Sequence, residues 1–450
     1  MAKSLHGMDY TKLGPMMLIR LINLGAVIAY ELAVLALQTV CSRVASKRTM
    51  NGARIGECLR RICERTGGAF PKIGQILSTR PDLLPPAICA ELAILQDRVS
   101  APSHSRILEV LRREYRSVPF ESFDQIPVAS ATVAQVYRAV RADNHRDIAV
   151  KVMLPDVLRK IKSDCRIAEF FGPAIACLPA MKSVPLREAL AQASVLLQRQ
   201  TNFRQEAANL VRLGDIFRGC NRILVPRIHG DLCTENIVCM DFVGGMRKLT
   251  DPSIPDDEAK ELIVVGLQGL YKMIFDAGFV HCDLHPGNVL AAPDGRLVIL
   301  DAGLVTELDD YTRRSFAEFF AAIALRNGYK AAEIVRETAI RLPKHLDCLS
   351  FDRDIAELIN RVGGLSAREF EVAGFIAELF DIQNKYGIYG TPRFTLIILA
   401  LLVYEGVAKQ RCPDLDFQKE AIPFVMPVLL RGIPKVTLGS SPSAADVPRN

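Results

Sequence analysis

FVHCDLHPGNVLAAPDGRLVILDAG, residues 279–303, decides how this chain is read. It holds His281, Asp283 and Asn288 in the order H-x-D-x-x-x-x-N, then the turn Pro293-Asp294-Gly295, the apolar strand Leu297–Leu300 and Asp301-Ala302-Gly303. Phosphoryl transfer uses one Asp to take up the proton of the attacking hydroxyl, an Asn to hold one Mg²⁺, and a second Asp beyond a strand to hold metal against the phosphates. Asp301 follows Asp283 by 18 residues, room for a loop, a hairpin and a return strand that bring both carboxylates to one phosphate. His281 and His285 also fit a pair of loop histidines or metal ligands. Zinc would want Cys or Glu at short spacing, and Cys282 would point away from both rings in an extended segment.

The surrounding chain has 450 residues, half of them hydrophobic and 24% charged, an ordinary globular composition with mass for roughly two to four domains. The net charge of +6 is mild, basic residues form no long runs and there is no Trp, so nothing supports a nucleic-acid partner. Twelve cysteines are scattered without a C-x-x-C pair, the pattern of reduced thiols in a cytoplasmic setting. Leu21–Val40 is strongly apolar, with Arg20 before it and Glu31 inside. It has spanning length, but a central Glu is costly in lipid. The segment fits a buried or dimer-packing helix, a membrane-surface helix or a true span.

Residues 1–66 form the first expected unit, helical and apolar, ended by Gly67-Gly68. Residues 67–126 follow as a second helical piece. Its FPKIGQILSTRPDLLP stretch lacks the G-x-x-x-x-G-K-[ST] of a P-loop, and Lys72, Gln75 and Arg80 fit a polar helix face. Residues 127–243 carry nucleotide-lobe features. Val133–Val140 and Asp147–Leu154 make a hairpin around Arg141–Arg146, with Lys151 in Ala-Val-Lys-Val, the setting of a phosphate-pairing lysine or of an exposed strand lysine. The preceding loop, Ala129, Ser130, Ala131, Thr132, Val133 and Ala134, has no glycine, yet most of its side chains are small enough for backbone to approach a phosphate. One long amphipathic helix is expected over 186–213, with Glu206 as partner for Lys151 or as a solvated glutamate. Two short strands within Pro226–Val243 lead to a hinge where Met240 and Val243 line an adenine slot. Residues 244–438 read as a helical lobe carrying the catalytic loop, and 439–450 as a disordered tail.

Together these residues resemble the UbiB-like atypical kinases, a family linked to ubiquinone and other isoprenoid-lipid metabolism. The likeness runs from Lys72 to Cys412: Lys72-Ile-Gly-Gln75 for its K-x-G-Q, Ala129–Gln135 for its alanine-rich loop, Lys151 and Glu206 for its ion pair, His281–Asn288 for H-A-D-P-H-P-G-N, and Asp301-Ala-Gly303 for D-F-G. It implies an α+β, protein-kinase-like two-lobed fold with an added N-terminal helical K-x-G-Q extension over the site and a helical C-terminal lobe. It further implies ATP or ADP and Mg²⁺ as cofactors, Asp283, Lys151 and Glu206 in catalysis, Asn288 and Asp301 on metal, and Lys72 and Gln75 in regulation. The expected activity is ATP hydrolysis or phosphorylation of a small or lipid-associated substrate. The alternative is a non-catalytic nucleotide-dependent regulator of a biosynthetic enzyme complex. Expected partners are the nucleotide, a lipid or membrane surface met through residues 21–40, and a second copy.

Two departures stand out. The family's E-x-D is Gln200-Thr201-Asn202 here, so Lys72 is expected to keep hydrogen bonds but lose charge pairing. Leu284 replaces the first proline of the family's catalytic loop.

Overall fold

A computed structural model describes residues 22–35, 37, 52–78, 84–95, 104–131, 133–176, 186–363 and 369–430. Arg20, Arg80, Thr132 and the expected tail at 439–450 lie outside the described residues. The upper half is built on a five-stranded antiparallel sheet: β1 (Phe120–Phe123), β2 (Ala129–Ser130), β3 (Ala134–Arg141), β4 (Asp147–Met153) and, after helices and the short β5 (Ile223–Leu224), β6 (Ile237–Asp241). The order is β1-β3-β4-β6, with β2 against the start of β3. The sheet therefore starts at Phe120, ahead of the boundary expected at 127.

The period-2 pattern explains this sheet. Along β3–β4, Val136 faces Lys151 on the side of the cleft, while Tyr137 faces Val150 on the other. The far side is covered by helix His104–Glu114, whose Ile107, Val110 and Leu111 form a small separate core with Phe120, Tyr137, Ile148, Val150 and Val152.

The helix expected over 186–213 is two helices, Leu186–Arg199 and Phe203–Ile216. The break has a local cause: the side chain of Asn202 accepts from Gln205 N at 3.1 Å and starts the second helix as its N-cap. A second correction concerns the strands expected within Pro226–Val243. β6 is there, but upstream of it only Ile228 forms an isolated antiparallel bridge, to Met240; Gly230–Leu232 is a turn of 3₁₀ helix, and the short strand β5 at Ile223–Leu224, before Pro226, pairs with the lower lobe.

Among the described residues the lower half is helical around three small sheets, one of them a two-stranded pairing of Ala339–Arg341 with Tyr389–Gly390. β7 (Arg247–Lys248), β9 (Val289–Ala291) and β10 (Leu297–Ile299) join β5 in the order β5-β10-β9-β7, and β8 (Phe279–His281) pairs with β11 (Val305–Glu307). Helix Asp256–Tyr271 leads into the 279–303 stretch through a π-helical turn, Lys272–Ala277, stopped by Gly278 at φ +62°. Gly266 in that helix lets fully buried Tyr404 close in and donate to the Ile263 carbonyl at 2.7 Å. A Cβ at 266 would stand 2.0 Å from the Tyr404 oxygen. Gly266→Ala is therefore expected to cost about 2–4 kcal/mol through overpacking and a lost buried hydrogen bond. Thermal or urea unfolding checks it, and an unmoved midpoint would refute the packing described.

At the other end, helix residues 22–35 turn Leu24, Ile28, Glu31 and Leu35 into the core beside Ile55, Cys58 and Ile62. Glu31 is buried and pairs with Arg65 at 2.9 Å. A buried, packing helix thus accounts for the central Glu. Among the described residues no helix is long and apolar enough to cross a membrane. The described cysteines are free thiols.

Candidate active site

The 279–303 stretch folds as a strand, a loop and a hairpin. β8 ends at His281, the loop carries Asp283 and Asn288, and β9–β10 return the chain to Asp301. His281 is fully buried, and both ring nitrogens are used: Nδ1 accepts from Asp283 N at 3.0 Å and Nε2–H donates to the Asp301 carbonyl. Burial holds its pKa below the usual imidazole value, so the ring is a neutral strut. With both ring nitrogens committed to protein groups, His281 presents neither to a metal. His285 Nδ1 accepts a local bond from Gly287 N at 2.9 Å. Asn288 Nδ2 donates to the Asp283 carbonyl at 2.9 Å, fixing the loop's curvature. Among the described residues, the Asp283 carboxylate and Asn288 Oδ1 have no other polar partner.

Lys151 projects from the middle of β4, between Val136 and Val238 of the neighbouring strands. Its Nζ lies 2.5 Å from Glu206 Oε1 and 2.7 Å from Asp301 Oδ2. Glu206 is buried on helix Phe203–Ile216, whereas Asp301 keeps 33% of its side chain open. Burial opposes charge on all three groups, and their mutual field decides the outcome. The two carboxylates outweigh burial and raise Lys151 above the usual ammonium range. Lys151 and the Gly303 amide hold Asp301 well below the usual carboxylate range. Burial and the Asp301 charge push Glu206 up to about 7.

The other residues singled out in the sequence surround this centre unevenly. Ala129, Ser130 and Ala131 are exposed, and Ala131 N donates to Ala134 O at 2.8 Å to close the turn, while Val133 and Ala134 are buried. Met240 is buried on β6 opposite Ala149, and Val243 is half-buried just past the strand. Lys72 and Gln75 lie on helix Phe70–Ser78. Gln75 Nε2 donates to Leu95 O at 3.1 Å. Lys72 has no hydrogen-bond or charged partner among the described residues, so the hydrogen bonds expected for it are absent there. Asn202 spends its side-chain oxygen on capping, and Gln200 lies beside Gly303.

The ABC1 atypical kinase-like domain matches residues 94–335, and the UbiB helical domain matches residues 355–416. The chain belongs to the UbiB-like ABC1 atypical kinase family. Probable protein kinase UbiB of Pectobacterium carotovorum subsp. carotovorum (strain PC1) is 30% identical over 395 residues, covering 85% of this chain and 72% of that protein. The protein of the same name from Photorhabdus laumondii subsp. laumondii is 31% identical over 392 residues, 82% of this chain and 70% of its own. A solved structure, the complex of Rv3197 with erythromycin from Mycobacterium tuberculosis, covers 86% of this chain and 97% of that one at a TM-score of 0.46 and 19% identity.

The ABC1 match begins at residue 94, so helix Phe70–Ser78 precedes it and Lys151, Glu206 and the 279–303 stretch fall inside it. The UbiB helical match runs from within helix Cys348–Val362 through helices Val372–Lys385 and Pro392–Ala408. Sequence reasoning missed two contacts of this UbiB-like chain. Asp164 Oδ2 accepts from Ala69 N at 2.8 Å, tying the helix after β4 to the start of the extension. Asn209 donates to the Ala302 carbonyl at 2.8 Å. The second was legible in principle, because Asn209 follows Glu206 by three positions and so shares its helix face.

Proposed function

We propose that this chain is a Mg²⁺-dependent, nucleotide-binding phosphotransferase or ATPase that serves isoprenoid-quinone or other lipid-linked biosynthesis. The observation that carries this reading is the meeting of Lys151, Glu206 and Asp301 beside a loop whose Asp283 carboxylate and Asn288 Oδ1 have no polar partner among the described residues. An ammonium has three N–H groups. Two are directed at Glu206 and Asp301, and the third serves a phosphate oxygen. Glu206 keeps the lysine aimed, and Asp283 takes up the proton of the attacking hydroxyl or water.

Asp301 and Asn288 supply hard oxygen donors, and Mg²⁺ is commonly held by one or two carboxylates with the rest of its shell from phosphates and water, so the residues fit that ion. When bound, the ion neutralises charge building on the transferred phosphoryl group. Backbone of Ala129–Ala131 and of Val133–Ala134 borders the phosphates, and Met240 and Val243 border the base. Lys72 and Gln75, on the extension, regulate access. The outward side of the N-terminal helix, with exposed Ile22, Tyr30 and Leu37 and with Glu31 turned inward, supports a peripheral lipid contact.

The test is a panel of ATP, ADP and GTP binding with Mg²⁺ or with chelator, followed by hydrolysis with and without liposomes and a phenolic isoprenoid mimic. Mg²⁺-dependent binding with lipid-stimulated hydrolysis is expected. Nucleotide-dependent stabilisation without hydrolysis would favour the regulator of a biosynthetic complex. No Mg²⁺-dependent nucleotide binding would end both readings.

A further inference from the structure

The short Ala302–Gly303 peptide link is gripped at both ends. Its carbonyl accepts from Asn209 Nδ2 at 2.8 Å, and its N–H donates to Asp301 Oδ1 at 2.7 Å. Asn209 is only 4% exposed, and its own orientation is set by Gln205, whose Nε2 donates to Asn209 Oδ1 at 2.9 Å. With its oxygen occupied in this way, Asn209 must present its NH₂ to Ala302. The peptide has little stiffness of its own, because residue 303 is glycine and tolerates backbone rotation that a side chain would resist. A Cβ at 303 would come within 3.1 Å of Asp301 Oδ1, so glycine is also what lets the carboxylate approach its amide.

We infer that Asn209 is a positioning residue for the Asp301 carboxylate, acting through the Ala302–Gly303 peptide, and that it sets the affinity of this centre for a divalent cation. The inference rests on the reading of Asp301 as a metal ligand. Asn209 itself touches neither metal nor nucleotide. Once its N–H is removed, the Ala302 carbonyl is left without that donor and the peptide is free to rotate. Rotation turns the Gly303 N–H away from Oδ1, and Lys151 alone then holds the carboxylate by Oδ2. The ion meets a carboxylate that has to be reoriented as it binds. The same helix face thus serves two tasks: Glu206 aims the amine, and three residues on, Asn209 aims the acid.

The test uses the full chain and a fluorescent ADP analogue, titrated with Mg²⁺ and separately in chelator. Asn209→Ala and Asn209→Leu are expected to raise the Mg²⁺ half-saturation by roughly 10-fold, the lower end for lost support of a metal ligand. Nucleotide affinity in chelator stays at the wild-type value, a split that general loss of stability would not produce. Exposed Gln205→Ala, which removes only the residue orienting Asn209, is expected to shift the Mg²⁺ curve the same way by less, and it decides the matter if the Asn209 variants do not fold. A Mg²⁺ curve superimposed on wild type in a folded Asn209 variant, or in Gln205→Ala where neither folds, overturns the inference. A wild-type chain without Mg²⁺-dependent binding is a distinguishable result that overturns the site reading and this inference with it.

Discussion

Asp301→Asn lowers Mg²⁺-dependent nucleotide affinity by roughly 10²–10³-fold, the equivalent of about 3–4 kcal/mol for one member of a close charge set. The substitution keeps shape and removes one negative charge. It weakens the centre in two ways: a carboxylate ligand becomes an amide, and Lys151 loses the partner 2.7 Å from its ammonium. Lys151 and Glu206 still pair, so the fold survives and the loss is confined to binding. Calorimetric titration with Mg²⁺ and with chelator separates the terms. The gap between the two conditions should collapse in the variant, and Mg²⁺-dependent affinity equal to wild type would remove Asp301 from the metal-binding role.

Lys151→Met should abolish the same nucleotide binding and also destabilise the chain in a pH-dependent way. Two carboxylates would be left facing each other with no cation between them, and breaking a buried pair typically costs about 3–5 kcal/mol. In the wild type the folded Glu206 sits at about 7, against 4.5 for an ordinary glutamate. The folded chain therefore binds that proton more tightly than the unfolded chain. Stability from this group is fully present below about pH 4.5 and is lost as pH rises through about 7. Without the ammonium that holds Glu206 down, the same loss becomes larger. Urea unfolding of wild type and variant at pH 5 and pH 8 checks it: the deficit should be much greater at pH 8. An equal deficit at both values would mean that Glu206 does not carry the charge assigned to it.

How much of this was legible beforehand divides by distance along the chain. Lys151 and Asp301 were readable because each sits in a short motif whose neighbours fix its geometry: alternating apolar residues put Lys151 on a strand, and Asp-Gly before Leu297 returns a strand to Asp301. The break at Gln200–Asn202 was not readable, because the apolar period runs on through it and only a cap decides against continuity. β5 was missed for a related reason, since two residues carry no period and only the pairing with Leu297 and Val298 makes them a strand. The dual hydrogen bonding of His281 came from burial, and the Asn209 contact joins residues 93 apart in sequence, which no local pattern encodes. The capping role of Asn202 was not readable for the same reason, since the helix it starts lay inside the segment expected to be continuous.

The small core beneath helix His104–Glu114 has a mechanical consequence. A kinase-type upper sheet left bare on its outer side can ripple strand by strand, but here that side is sealed by Ile107, Val110 and Leu111. Bending the sheet would pull apart that packed interface, so its strands are held as one stiff unit. The chain leaves that rigid sheet after β6 through Gly244 and Gly245, the latter at φ +67°, a conformation a side chain would resist.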